Sequence, residues 1–301
     1  MYALWSLNSR LINTSKDLKW ELFSGWQKTL DETTHWLWEK VMEKLIPVLK
    51  EHNSSAVLIP SGQLALLPLH AAWTDDPSKP TKRRYVLDEL NISYAPSTHA
   101  LYQARVAAEQ PTENESLLVV DNPDGSLKFA KDEVQAVMDG FQRITHLHKK
   151  KATTVMVKKE MQKAHVLHFA THGRAGWEKA EQAQLLLANG ILTLPDIFKL
   201  DLNQARLVVL SACETGVPGL ELIDEMIGLP AGMLQAGVPG VIGSLWSVND
   251  ASTAILMTQF YKFWRKEGKT PQQALRQAQI WLRDSLYESP YDWAAFTYTG
   301  V

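Results

Sequence analysis

The sequence predicts an α/β protein, a three-layer sandwich in which a mostly parallel sheet carries helices on both faces. Three observations point there. Short apolar runs alternate with segments of helical period through the second half of the chain, the pattern of parallel strands joined by crossover helices. Two of the runs, 164–173 and 205–216, are rich in Leu and Val and close on a glycine, as fully buried strands do. The 301 residues are 45% apolar and 21% charged, enough to bury a core.

Taken in order, residues 1–15 show no clear period and read as a tail or an extended strand. Residues 16–50 read as helix, with Leu18, Leu22, Trp26 and Leu30 at helical spacing and a break or second start near Asp31 and Thr33. Trp20, Trp26, Trp36 and Trp38 are assigned to packing against the sheet. A strand at 56–59 turns at Pro60-Ser61-Gly62, and 64–73 is short and apolar. Residues 74–84, with Pro77, Pro80 and Lys82-Arg83-Arg84, read as a solvated polar loop. A strand at 90–94 and a helix at 97–108, capped by Ser97 or Thr98, follow. The segment 110–116, with Pro111 and Asn114, is the best boundary, dividing the chain into 1–110 and 116–301.

Beyond it, strands are expected at 117–120, 143–148, 164–173, 205–213 and 241–246. Helices are expected at 131–140, 154–163 (capped by Thr153 or Thr154), 224–235, 252–266 and 271–287. Asn189-Gly190 marks a hairpin between 184–188 and 191–193. Residues 293–299 are expected to close the sheet.

The chemistry gathers at two strand ends. One run stops at His172-Gly173 and the other at Cys213, the only cysteine. Neighbouring parallel strands would carry both to the carboxyl edge of the sheet, where open α/β sheets collect their ligands. A thiol of ordinary pKa, about 8.5, is mostly protonated at neutral pH, and a nearby imidazole can take its proton. A glycine after the histidine lets backbone approach a substrate, and the N–H groups of Gly173 and Cys213 are candidates for an oxyanion hole. The competing reading is a buried, inert thiol. His165, His168 and His172 do not form a metal site: His165 and His168 point to opposite strand faces, and no second cysteine or carboxylate cluster joins them. No metal or other cofactor is expected. Asp124-Gly125-Ser126 is not a phosphate loop, since no Gly-rich run leads to Lys-Ser or Lys-Thr.

His168-Phe169-Ala170-Thr171-His172-Gly173 and Leu210-Ser211-Ala212-Cys213-Glu214-Thr215-Gly216 resemble the CHAT family of bacterial caspase-like peptidases. The segments 236–250, 292–296 and 58–69 match as well, so the resemblance runs from about Val57 to the end. Caspases and separases are similar proteins. The resemblance implies a caspase-like sandwich whose first part is a degenerate copy of the protease fold. It implies an endopeptidase using a Cys213–His172 dyad on a protein substrate, in a bacterial defence or cell-death pathway. Leu245-Trp246-Ser247-Val248-Asn249-Asp250 resembles the separase segment whose aspartate lines the first specificity pocket. On that basis Asp250 would select Arg, or less well Lys, by charge-assisted hydrogen bonds. The competing role for Asp250 is to cap the helix near Ser252. Trp246 is expected as an apolar wall of the cleft, with substrate added as a strand along 245–249 through Ser247.

Alternatives from other classes are a non-proteolytic cysteine hydrolase with a closed pocket, and a scaffold or sensor module whose dyad is silent. No tetratricopeptide-like repeat precedes the matching region, although CHAT proteins often carry them. A net charge of −2 gives no reason to expect nucleic acid or an anionic membrane as partner. Residues 1–10 lack a secretory signal's features, and 228–248, though uncharged, is broken by Pro230, Gly237 and Pro239, so a cytoplasmic protein is expected. No Lys or Arg lies between Cys213 and Lys262, so an enzyme cutting after basic residues could not mature by clipping itself there. Activation is therefore expected from a partner protein or sensor domain that orders 214–223, a segment with little to hold it.

Overall fold

The computed structural model describes residues 16–52, 54–110, 115–219 and 226–301. The tail at 1–15, most of the expected boundary, the start of the helix expected at 224 and the end of the segment 214–223 lie outside the described residues.

The strands are β1 Ser55–Leu58, β2 Trp73–Asp75, β3 Arg83–Tyr85, β4 Asn91–Tyr94, β5 Ser116–Asp121, β6 Arg143–His148 and β7 Val166–Ala170. They continue with β8 Gly173–Arg174, β9 Gln184–Leu187, β10 Gly190–Thr193, β11 Leu207–Ser211, β12 Gly240–Ser244 and β13 Phe296–Gly300. Eight of them form one sheet in the order β1-β4-β13-β12-β11-β7-β5-β6. β12, β11, β7, β5 and β6 are mutually parallel. β13 is antiparallel to β12, and β4 and β1 follow its direction. The sheet is therefore mostly parallel with a single reversal. The last strand does not close an edge as expected. It lies inside the sheet and joins β4 to β12, so the segments divided at 110–116 share one sheet.

Alternation along the strands builds two cores. Leu117, Val119, Val166, Leu207 and Val209 face helices Lys16–Leu37, Ala130–Met138, Asp250–Tyr261 and Pro271–Ser285. Leu118, Val120, Leu167, Phe169, Val208 and Leu210 face Thr98–Ala108, Thr154–Met161 and Leu229–Gln235. Each such side chain removed from water contributes about 1.5–3 kcal/mol. Buried on both faces, these strands read as continuous apolar runs, which is why they were legible. Two helix caps follow the sequence: Ser97 and Thr153 accept from backbone N–H groups of the first turn, and Thr270 does the same for the helix Pro271–Ser285, a cap not expected beforehand.

Three expectations change. The first helix does not break near Asp31. It runs Lys16–Leu37, passes through a π turn at Trp38–Met42 and continues as Glu43–His52. Thr34 instead bonds back to the Leu30 carbonyl at 2.9 Å, within the helix. Of its tryptophans, Trp26 and Trp38 are buried but Trp20 and Trp36 face solvent. Finally, residues 74–84 are not a free loop. They form the β2–β3 hairpin, with Arg83 reaching both carboxylate oxygens of Asp31 at 2.5 and 3.1 Å and lying over the Trp73 ring.

No helix among the described residues is long and apolar enough to cross a membrane.

Candidate active site

β7 and β11 are adjacent and in register, with Ala170 opposite Ser211. Two residues beyond that pair lie His172 and Cys213, at the carboxyl ends of both strands. The turn after Cys213 is held tightly. Ser244 Oγ donates to the Ala212 carbonyl at 2.6 Å, and Ser244 N–H donates to Thr215 Oγ1 at 3.1 Å. Gly216 N–H donates to Ser244 at 2.7 Å, and Val217 is buried. Residues 212–216 are thus bonded to β12, so the start of the segment 214–223 is held more firmly than expected. Glu214 takes a left-handed backbone, φ +58°, which is costly for a residue with a side chain and concentrates at functional sites.

Gly173 sits against this turn. A Cβ there would stand 2.6 Å from the Cys213 carbonyl oxygen and 2.6 Å from Thr215 Cγ2, so only glycine permits the approach. Leu186 N–H donates to the His172 carbonyl, which makes His172 and Leu186 a hydrogen-bonded antiparallel pair. Gly173 and Leu185 are then the alternate, open pair, and the Gly173 N–H faces away from β9.

The Cys213 thiol is partly exposed, and its Sγ lies 4.0 Å from the Val248 carbonyl. Burial pushes the thiol up from its ordinary pKa; hydrogen bonding from the Val248 backbone and the Ser247 side chain pulls it down, and the Glu214 and Asp250 carboxylates add to the rise. At rest this is a thiol, not a thiolate.

His172 is half exposed, and its Nε2 lies 2.6 Å from Ser126 Oγ. Ser126 donates in turn to Asp124, from its hydroxyl at 2.9 Å and its N–H at 3.1 Å. Partial burial opposes the Asp124 charge, but the Ser126 N–H and hydroxyl and the His172 ring hold its carboxyl below the ordinary value. One ring nitrogen of His172 is therefore anchored and Nδ1 is left for chemistry. Sequence reasoning missed this anchor. It considered 124–126 only as a phosphate loop. The usable signal was that β5 is a third parallel strand, whose loop emerges at the same sheet edge.

Ser247 lies beside the thiol, with its hydroxyl donating to Glu214 Oε1 at 3.3 Å. Glu214 also accepts from Trp177 Nε1 at 3.3 Å, so it joins two walls of the site that the sequence did not connect. Trp246 corrects an expectation. It is 2% exposed, packs edge-on against Trp26 at 5.7 Å and donates to the Tyr291 carbonyl, so it belongs to the core rather than to a cleft wall. The helix cap is Asn249, whose side chain accepts from Ala251 and Ser252; Asp250 is the first helical residue. Asp250 is half-buried rather than fully buried, and its Oδ2 accepts the N–H groups of Lys128 at 2.7 Å and Phe129 at 3.0 Å. It thereby ties the end of the 122–129 loop to the segment after β12.

The other histidines have separate duties. His165 bonds to Ser116. His168 is sealed in the core between Glu133 at 3.0 Å and Tyr261 at 3.1 Å.

With this geometry in place, likeness to known proteins can be weighed. The sequence profile of the CHAT domain matches residues 31–301. No curated protein matches the sequence. Among solved structures, the separase of the Saccharomyces cerevisiae separase–securin complex is similar, with 17% identity and a TM-score of 0.55. The match covers 81% of this chain and 15% of that one, so this chain spans about a seventh of the separase. The Arg-specific cysteine proteinase gingipain R is similar over 91% of this chain and 67% of its own, with 10% identity and a TM-score of 0.61. The complex of Porphyromonas gingivalis RgpB pro- and mature domains gives 10% identity, 91% and 68% coverage, and a TM-score of 0.59. At such identities the likeness establishes the caspase-like fold.

Proposed function

Because the chain belongs to the CHAT domain family, a caspase-like protease family, we propose that it is a cysteine endopeptidase acting on a protein partner through Cys213 and His172. One observation carries the reading: His172-Gly173 and Cys213 emerge from adjacent in-register strands, with Gly173 against the Cys213 carbonyl.

The steps follow from the geometry. The scissile carbonyl enters with its oxygen toward the N–H groups of Gly173 and Cys213. The thiol is protonated at rest, so its proton leaves as Sγ attacks, and His172 Nδ1 is the base in reach of that edge. The same imidazolium then protonates the departing amine, and water releases the acyl group. Ser126 and Asp124 hold the ring through Nε2, as an orienting group does in other catalytic triads.

Substrate adds as a strand beside Ser247. The carbonyls of Trp246 and Asn249 already accept from Glu214 and Thr253 N–H groups, which concentrates pairing on the Ser247 backbone. Asp250 selects Arg ahead of Lys in the residue before the cut. Both of its bonds among the described residues go to Oδ2, which leaves Oδ1 for a guanidinium. With no basic residue from 214 to 261, activation falls to a partner protein or sensor domain in the cytoplasm, within a defence or cell-death pathway.

The test is a diverse peptide library incubated with wild type and with Cys213→Ala, products being identified by mass spectrometry. Cuts lost in the variant are expected. Identical product lists from both proteins would sink the reading. A panel varied only before the cut then addresses Asp250: wild type should prefer Arg, and Asp250→Ala should lose that preference roughly tenfold or more. Equal cleavage after Arg, Met and Leu by wild type would remove Asp250 from the pocket.

A further inference from the structure

β6 is the edge strand of the sheet, and two of its histidines stand apart from the dyad. His146 and His148 are two residues apart, so their rings leave the same strand face, while Leu147 between them is buried in the opposite core. On the neighbouring strand the parallel register sets Asp121 beside His148 and Val119 beside His146. Asp121 Oδ2 lies 2.7 Å from His146 Nε2 and 2.6 Å from His148 Nδ1. The Asp121 side chain is only 6% exposed, whereas the two rings are 36% and 48% exposed. Among the described residues, these are the three ligand-type side chains whose donor atoms all lie within 4.8 Å of one another.

We propose that Asp121, His146 and His148 form a binding site for a divalent first-row transition ion, zinc foremost, separate from the Cys213 centre. Two imidazoles and one carboxylate suit zinc, cobalt or nickel; calcium and magnesium prefer sites made of oxygen. Three protein ligands leave a fourth position to water. A tetrahedral zinc with bonds of about 2.0–2.2 Å places its ligand atoms about 3.3 Å apart. The donor atoms here are closer than that, so the rings swing outward by roughly half an ångström to admit the ion, a motion their exposure allows. Each neutral ring must present its lone pair at the nitrogen now facing Asp121, with its one proton held on the other ring nitrogen. The buried carboxylate fixes one ligand in advance, and the alternation of the edge strand fixes the other two. A simple Asp–His ion pair would need only one of the two rings.

The experiment uses the full chain carrying Cys213→Ala, freed of any affinity tag and stripped by chelator, so that neither the thiol nor added histidines capture metal. Zinc is titrated calorimetrically, and cobalt by its visible absorption. One ion per chain is expected, with the strong cobalt bands of a four-coordinate site and no thiolate charge-transfer band. His146→Ala and His148→Ala, both at exposed positions, should each weaken binding about a hundredfold or more, beyond the 10–100-fold typical of losing a supporting residue. His165→Ala should bind as the parent does. Absence of binding at micromolar free zinc would overturn the proposal. So would an unchanged titration in the folded double variant His146→Ala/His148→Ala.

Discussion

Two histidines on opposite sides of the sheet reversal set the proposed reactive site against a structural one. His70 sits in the turn Leu69–Ala71, on the side built by β1, β4 and β13. It is buried, with Nδ1 2.9 Å from the Tyr94 hydroxyl and Nε2 3.0 Å from the Ala294 carbonyl. Burial is the main cause that lowers its pKa from 6.5 to about 4, against the opposing bond to Ala294. His172 lies on the other side, half exposed, with only Nε2 anchored. Both rings are well held. The difference is that His70 has both nitrogens committed and no access, whereas His172 keeps one nitrogen uncommitted, at the end of the strand next to the one that carries Cys213. A precise position alone does not make a histidine a candidate for catalysis; an unused nitrogen at an open strand end does.

The strongest way to break this comparison is to delete the reactive side. His172→Ala and Cys213→Ala should each lower turnover by about 10³-fold or more while thermal stability stays near that of wild type. The double variant should be no slower than either single one, because the two act as a unit. A double variant far slower than both would show that they do not, and additive losses measured by steady-state kinetics would end the dyad assignment.

The structural side should fail in the opposite manner. His70→Ala removes a buried ring and strands the Tyr94 hydroxyl, so it should cost roughly 2–4 kcal/mol by denaturant unfolding, with the activity of the folded fraction unchanged. Titration sharpens this. The unfolded chain takes up the His70 proton near pH 6.5 and the folded protein only near pH 4. Stability is complete above about pH 6.5 and falls as the pH drops toward 4, by about 3 kcal/mol from this group alone. Unfolding curves at pH 7 and pH 4 should show that loss in wild type and a smaller one in His70→Gln. Equal losses would mean that His70 is not the neutral buried ring described.

The smallest expected effect concerns the anchor. Ser126→Ala should reduce kcat about tenfold with KM little changed, and Ser126→Thr, which keeps the hydroxyl at His172 Nε2, should restore most of it. A fall in kcat that Ser126→Thr does not restore would mark Ser126 as merely a loop residue.

Much of this was legible in the residues themselves. The strand runs ending at His172 and Cys213 announced themselves because parallel strands buried on both faces have no polar positions to interrupt them. The Asn189-Gly190 hairpin and the Ser97 and Thr153 helix starts were readable because turns and caps depend on a few adjacent residues. What stayed hidden depends on contacts distant in sequence. Ser126 meets His172 across 46 residues, and Asp121 meets His146 across 25. Whether Trp246 lines a cleft or fills the core is decided by Trp26 and Tyr291, which no local pattern reveals. The choice of Asn249 over Asp250 as cap was hidden for a simpler reason: both are good capping residues, and a one-residue shift is below what pattern can resolve.

The contact between Gly173 and the turn after Cys213 bears on how such a chain loses its activity over generations. One base change converts a glycine codon to alanine, and the added methyl would press on the Cys213 carbonyl and Thr215. The backbone would have to part there, carrying the Gly173 N–H away from the nucleophile, while Cys213 and His172 stayed in the sequence. On the proposed mechanism, a lineage would thus pass from peptidase to silent scaffold without altering either Cys213 or His172.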